Sequence, residues 1–396
     1  MRCVASDSPE KEFLLHAARV AVGTAPFMRE LLPRVRDWEH VFRLASQHAV
    51  TPLLCHVLSP RIAGKIPASA MTLRRVALRR LLLRNSQLLA VLMDILDLFE
   101  RNEILVTPLK GPSLAFHLYG ESDLRASVDL DFLVRAEDVL CARDVLLSRG
   151  YQTDFPTKPS QQAVYLRVRH DLRFTREGTF PVDLHQTFLP AFNRFAYDYG
   201  ALWARLRRVR FNDRNILVIP SEDLLLVLCA HGTKHVWGRL GWICDIARLL
   251  VRFRDEISWS RVDELATPLG AQRMVSLGVL LAHDVLDAPL PEAILMRVQN
   301  DKSAVRLASR VSDPRNPWPL GVPWPLSVLG PHLFFLRARE RFRDRAAYCA
   351  RLIFSPTERD HAAFSLPPVL SGLYYPLHTL RVTTKFGLAS FLRSRA

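Results

Sequence analysis

Apolar residues recur at three- and four-residue intervals over Lys11 to Val22 and Asp37 to His48. They do so again along Met71 to Arg101, where Leu73, Val76, Leu81, Leu88, Leu92, Ile95 and Leu98 share one broad stripe. This spacing predicts amphipathic helices through the first hundred residues, with a linker at Pro60, Gly64 and Pro67. The pattern changes at residue 103. Ile104–Thr107 is a short β-like run, Pro108, Lys110, Gly111 and Pro112 make a turn, and Ser113 stands at the N-terminus of a short helix reaching Leu118. Val128 to Val134 alternates apolar and acidic residues and then runs apolar, as a strand does when one face is a site. A helix follows from Glu137 to Arg149, closed by Gly150. Alternating runs at Ala163–Val168 and Asp171–Thr175 lead through a turn at Glu177–Gly178 to a strand at Phe180–His185. Phe211 to Ile219 predicts a hairpin around Asn212–Asp213. Ser221–Glu222–Asp223 then offers cap chemistry to a new helix. Further helices are predicted over about 243–256, 259–268, 271–286 and 303–311, and an irregular Pro-rich segment over 313–331.

Strands interleaved with helices, then antiparallel strands, predict an α+β fold with a mixed sheet of four to six strands. The chain divides by texture into an N-terminal helical region (1–101), a central α/β core (102–220) and a C-terminal helical region (221–396). Its 396 residues allow roughly two to three units at about 150 residues each. With 49% hydrophobic and 23% charged residues it has ordinary globular composition, not that of a disordered chain.

The formal charge of +15 invites a nucleic-acid reading. Only 7 of the 54 basic residues are lysines, however, and the arginines are scattered along helices rather than run together, which favours solvated faces. Cys3, Cys55, Cys141, Cys229, Cys244 and Cys349 are far apart with no CxxC pair, so neither a disulfide framework nor a zinc signature is expected. The first residues, MRCVASDSPEKEF, lack the apolar core of a secretory signal, and no uninterrupted apolar stretch of about 20 residues exists. A cytoplasmic protein without a transmembrane segment is the expectation.

The sharpest chemistry lies in Leu109–Ser113 and Val128–Phe132. Asp129 and Asp131, at i and i+2 on a strand, point to one face and can converge on divalent cations. Such hard oxygen donors suit Mg²⁺, with Mn²⁺ as a substitute, shared with substrate phosphates. Gly111 in a turn before a helix exposes backbone N–H groups to phosphate, and Lys110 adds a point charge. Asp183, flanked by apolar residues in Pro181–His185, is the third carboxylate expected to join the pair on a neighbouring strand. Together the three acids are the expected catalytic and metal-binding set for two ions.

A glycine turn before a helix, then an alternating acid pair, then a later strand acid resembles the DNA polymerase β-like nucleotidyltransferase superfamily. "LKGPSLAFHLYGESDLRASVDLDFLV" is similar, more closely, to a bacterial nucleotidyltransferase family typed by LKG…LY…R…DxDhLV. "VDLHQ" and "LVLCAHGTKHVWGRL" match that family's later strand and helix, and the resemblance covers about residues 100–250. Abortive-infection nucleotidyltransferase toxins share the KG…DxD core. The resemblance implies a polymerase β-like catalytic core flanked by helical regions. It also implies an enzyme that moves an NMP from an NTP to an acceptor, Gly111 and Ser113 on the triphosphate, and Asp129 and Asp131 on metal. Pro112 departs from the superfamily turn and removes one N–H donor.

Arg125 matches the family's arginine upstream of the acid pair; it either reaches a phosphate or anchors the loop through a salt bridge. His185 shares a face with Asp183, near the site or in a structural hydrogen bond. His231 and His235 have the i, i+4 spacing of a zinc pair, but no HExxH glutamate accompanies them. They are placed instead on a helix face packed on the core, on the acceptor side, within reach of base or acceptor. His170–Asp171 lies near the same side. The acceptor is expected to be a small molecule, peptide or protein, with tRNA kept open by the charge. A non-catalytic relative would be expected to lose one of the acids, and all three are present.

Overall fold

Strands β1 (Val106–Pro108), β2 (Leu130–Val134), β3 (Gln152–Thr153), β4 (Asp171–Thr175) and β5 (Val182–His185) form one mixed sheet in the order β1-β2-β5-β4-β3. The computed structural model describes residues 8–59, 66–156, 162, 165–166, 171–189, 197–313, 326–354, 360 and 368–391. Only the β2–β5 pair is parallel; β1 runs antiparallel to β2, and β4 antiparallel to both β5 and β3. Pro108 is tolerated in β1 because that strand lies at the sheet's edge, where a missing N–H breaks no inner ladder. The predicted hairpin is β6 (Arg207–Phe211) and β7 (Arg214–Val218), a two-stranded sheet that packs on β1. Thr107 Oγ1 donates to the Leu217 carbonyl at 2.8 Å across that junction.

Sixteen α-helices occur among the described residues. Those before the sheet are α1 (Pro9–Val22), α2 (Trp38–Gln47), α3 (Thr51–Val57) and α4 (Ala68–Arg101). Within the α/β stretch lie α5 (Gly111–Tyr119), α6 (Val139–Ser148) and α7 (Tyr199–Arg205). The C-terminal part contributes α8 (Ser221–Lys234), α9 (Leu240–Arg252), α10 (Trp259–Leu269), α11 (Gln272–Leu286), α12 (Glu292–Asn300) and α13 (Lys302–Val311). It ends with α14 (Leu326–Ala338), α15 (Phe342–Phe354) and α16 (Tyr374–Phe391). None is long and apolar enough to cross a membrane.

Strand alternation places the sheet between two apolar cores. Leu130, Phe132, Val134, Val182 and Leu184 turn to one side and pack with Leu88, Leu92, Ile95 and Phe99 of α4 and with α6. Leu133 turns the other way, into a larger core built by α1–α3 together with α8–α11 and α13. The first helices therefore pack on helices that follow the sheet: α1 touches α9 and α11. The 34-residue α4 bridges the two cores, with Ala70 in one and Leu88 to Phe99 in the other. Its middle is open, Leu82 and Leu83 being about half exposed.

Three local expectations change. The start of α8 has Pro220, not Ser221, at its N-cap and no side-chain cap bond. Asp223 is taken instead by Tyr197 and by Arg205 at 2.6 Å, and Glu222 accepts from the Ser258 amide at 3.0 Å. From Leu326 the Pro-rich segment is helical, with Pro331 inside α14. Helices α3, α7, α12, α15 and α16 were not among those expected from sequence. The run expected over 163–168 and His170 lie outside the described residues, apart from Tyr165 and Leu166, as do 60–65 of the linker and Cys3.

Candidate active site

Asp131 and Asp183 are register partners on the parallel β2–β5 pair, which sets their backbones about 4.8 Å apart. Both are buried, and both turn away from the α4 core because their apolar neighbours Leu130, Phe132, Val182 and Leu184 fill it. Asp129 stands just before β2, half-buried, where the Leu130 amide donates to the Pro181 carbonyl and carries the ladder on. All three acids line one cavity of about 960 Å³, together with Lys110 and Gly111. Gly111 opens α5 in the left-handed region, φ +76°, which a residue with a Cβ adopts only with strain. No side chain caps α5, so its first-turn amides are left for a ligand, minus the one that Pro112 lacks. Ser113 sits apart: it is buried off the cavity, and its hydroxyl donates to the Lys110 carbonyl at 3.0 Å.

The acids differ sharply in their surroundings. Asp131 is held by Lys110 Nζ at 3.4 Å and His185 Nε2 at 2.7 Å. Burial alone would raise its titration, but these two neighbours outweigh it and hold the carboxyl well below the usual range. Asp183 meets only Arg173 Nη1, at 3.4 Å, and its Oδ1 is buried with no hydrogen-bond partner among the described residues. Burial pushes its carboxyl up to about 6, Arg173 opposing and Asp131 adding to the rise. Asp129 is raised as well, by burial and then by the charge of Asp131.

Two features suit a divalent cation: hard oxygen donors on adjacent strands and an orphaned buried carboxylate oxygen. As the side chains stand, no three His, Cys, Asp or Glu groups among the described residues are gathered closely enough to hold a metal ion. Lys110, His185 and Arg173 occupy the carboxylates instead.

The far wall of the cavity is helical. Arg125 Nε binds both oxygens of buried Asp245, at 3.0 and 3.3 Å, fastening the loop before Asp129 to α9. Of the two roles open to Arg125 from sequence, this is the one its geometry displays. His231 and Lys234 lie on one face of α8, and His235 ends it. All three line the cavity, and burial lowers the titration of each.

Residues 34–287, nearly two thirds of the chain, match the family described as Uncharacterised nucleotidyltransferase. The protein is a member of this family. Membership supports nucleotidyl transfer and implies a nucleotide substrate. A search of curated proteins finds no match. The nucleotidyltransferase region begins before α2 and ends after α11, so it takes in the helical wall as well as the sheet.

Several residues of this cavity and its surroundings were not assigned a role from sequence. Lys234 had a signal, standing three residues after His231 on the same helical face. Asp245 had another, as an acid inside the apolar run Ile243–Ala247. Asp171, placed near the acceptor side from sequence, lines the cavity, while Arg173, which carried no signal, reaches Asp183; β4 brings both in as register partners of His185 and Asp183.

Proposed function

We propose that the protein moves a nucleoside monophosphate from an NTP to a hydroxyl or phosphate of an acceptor and releases pyrophosphate. The observation that carries this reading is the pairing of Asp131 with Asp183 on parallel strands, beside Asp129, in one cavity with the uncapped, glycine-opened helix α5. Two Mg²⁺ ions, or Mn²⁺, bound among Asp129, Asp131 and Asp183 would neutralise charge at the α-phosphate and keep the attacking and leaving oxygens in line. Lys110 and the first-turn amides of α5 take the β- and γ-phosphates. His185 fixes Asp131 through its 2.7 Å hydrogen bond. The acceptor oxygen bonds to the α-phosphorus as the bond to pyrophosphate breaks, and the acceptor's proton passes to Asp183, whose buried Oδ1 is open to receive it.

Incubation with each α-labelled NTP and Mg²⁺ in the presence of cell extract tests the reading. Label transferred with pyrophosphate release, abolished by Asp129→Ala or Asp131→Ala in folded protein, is expected; activity retained in either variant would sink the assignment. Lys110→Ala is expected to raise the KM for NTP by about tenfold or more, and unchanged NTP kinetics would make Lys110 an ordinary turn residue.

The favoured acceptor is a small molecule, peptide or protein. A second reading is a polyanionic acceptor such as tRNA, supported by Arg43, Arg80, Arg84 and Arg239 along the same cavity. Steep loss of transfer with added salt would favour it. Growth arrest on expression, relieved by Asp131→Ala, would mark a toxin.

A further inference from the structure

We infer that His231, His235 and Trp242 form the seat of the NTP's nucleobase. This inference rests on the nucleotidyl-transfer reading and adds to it the part that reads the base. The three rings make a closed group on the cavity wall. The two imidazoles lie 4.7 Å apart, and Trp242 meets His231 edge-on at 5.5 Å and His235 at 5.2 Å, tilted by 36°. Arg239 lies over the indole at 5.6 Å, so cation and ring already stack there.

The turn that presents these rings is strained. Val236 and Trp237, directly after His235, both take left-handed backbone, φ 55° and 54°. A β-branched residue is rarely found there, and such strain persists only when its surroundings enforce it. The enforcing contact is the buried Trp237 ring, which occupies the space a Cβ on Gly232 would need, only 2.5 Å away. The turn therefore fixes the exposed His235 ring against Trp242.

Sequence alone left these histidines within reach of base or acceptor; their surroundings favour the base. The strongest charge reaching them from outside α8 is that of Lys110, the lysine of the glycine turn. Lys234 projects from the same face of α8, and the charges acting on it are those of Lys110, Asp171 and Asp131. A triphosphate held by Lys110 and α5 therefore has this ring group beside it. Burial keeps the His231 imidazole neutral at pH 7 and His235 titrates at about 4, so two neutral rings beside the Arg239-covered indole have nitrogens available to a base edge.

Calorimetric titration in Mg²⁺ with each of the four NTPs and with inorganic tripolyphosphate tests this. The wild type is expected to bind at least one NTP more tightly than tripolyphosphate. Trp242→Ala is expected to erase that margin, a loss of about tenfold or more for one stacked base, and to leave tripolyphosphate affinity unchanged. Trp242→Phe keeps a ring and is expected to restore part of the margin, which separates stacking from damage to the fold. His235→Ala, at an exposed position, is expected to shift the preference among NTPs. Unchanged NTP affinity in folded Trp242→Ala, with or without a loss of turnover, would overturn the inference. So would a wild type that binds tripolyphosphate as tightly as every NTP. A wild type that binds neither would instead overturn the nucleotidyl-transfer reading on which the inference rests.

Discussion

Asp183 carries a charge that its surroundings oppose. Its carboxyl titrates at about 6 in the folded protein against an ordinary 3.8, so the fold prefers the protonated form. Stability is therefore lost as pH rises through that interval, by about 3 kcal/mol once the group is ionised. Metal-free Asp183→Asn is expected to be more stable than wild type at pH 8 in urea unfolding, with the difference vanishing near pH 4. Equal stability at pH 8 would contradict this account of the site's charge. The acids were legible in the sequence because strand alternation forces a carboxylate among apolar residues onto a single face. Lys234 and Asp245 were harder to read, because what gives them meaning is distant in the chain: Asp245 matters through Arg125, 120 residues earlier. The resemblance implied Ser113 as a triphosphate contact; its position at a helix start is visible in sequence, whereas the direction of its hydroxyl is not.

At the level of elements, the wall of the cavity is held by two devices. The Arg125–Asp245 pair is buried, and removing one partner strands the other charge. Asp245→Ala is expected to cost about 3–5 kcal/mol, read as a shift in the urea midpoint; the further removal of Arg125 is expected to recover part of the loss. An additive double variant would rule out the coupling. The second device is the α8–α9 turn. Gly232→Ala places a methyl against the Trp237 ring with nothing nearby to yield, and overpacking of this kind costs about 1–3 kcal/mol. An unchanged melting temperature would contradict that packing. Most helices and strands were legible because periodicity and turn residues agreed. The start of α8 was misread because Ser, Glu and Asp can cap a helix in any sequence, and only the fold supplies Arg205, Tyr197 and Ser258 as rival partners. Pro331 concealed α14 in the same way.

For the whole molecule, the sequence's three textures describe the chain's order but not its packing. Helices from both ends share one core, and the sheet lies between that core and the one under α4. The matched family region, 34–287, spans both cores, which makes the helical wall part of the nucleotidyltransferase unit rather than an appendage. Long-range packing of α1 on α9 and α11 is invisible to local pattern, since each helix shows only that it has an apolar face. The central claim is that three carboxylates and a glycine turn together bind a metal-complexed NTP. The most direct measurement is calorimetric titration of the purified protein with NTP, with and without Mg²⁺, alongside the Asp129→Ala/Asp131→Ala variant. The account predicts binding of at least one NTP that requires Mg²⁺ and disappears in the folded variant; NTP binding indifferent to both the metal and the two acids would contradict it.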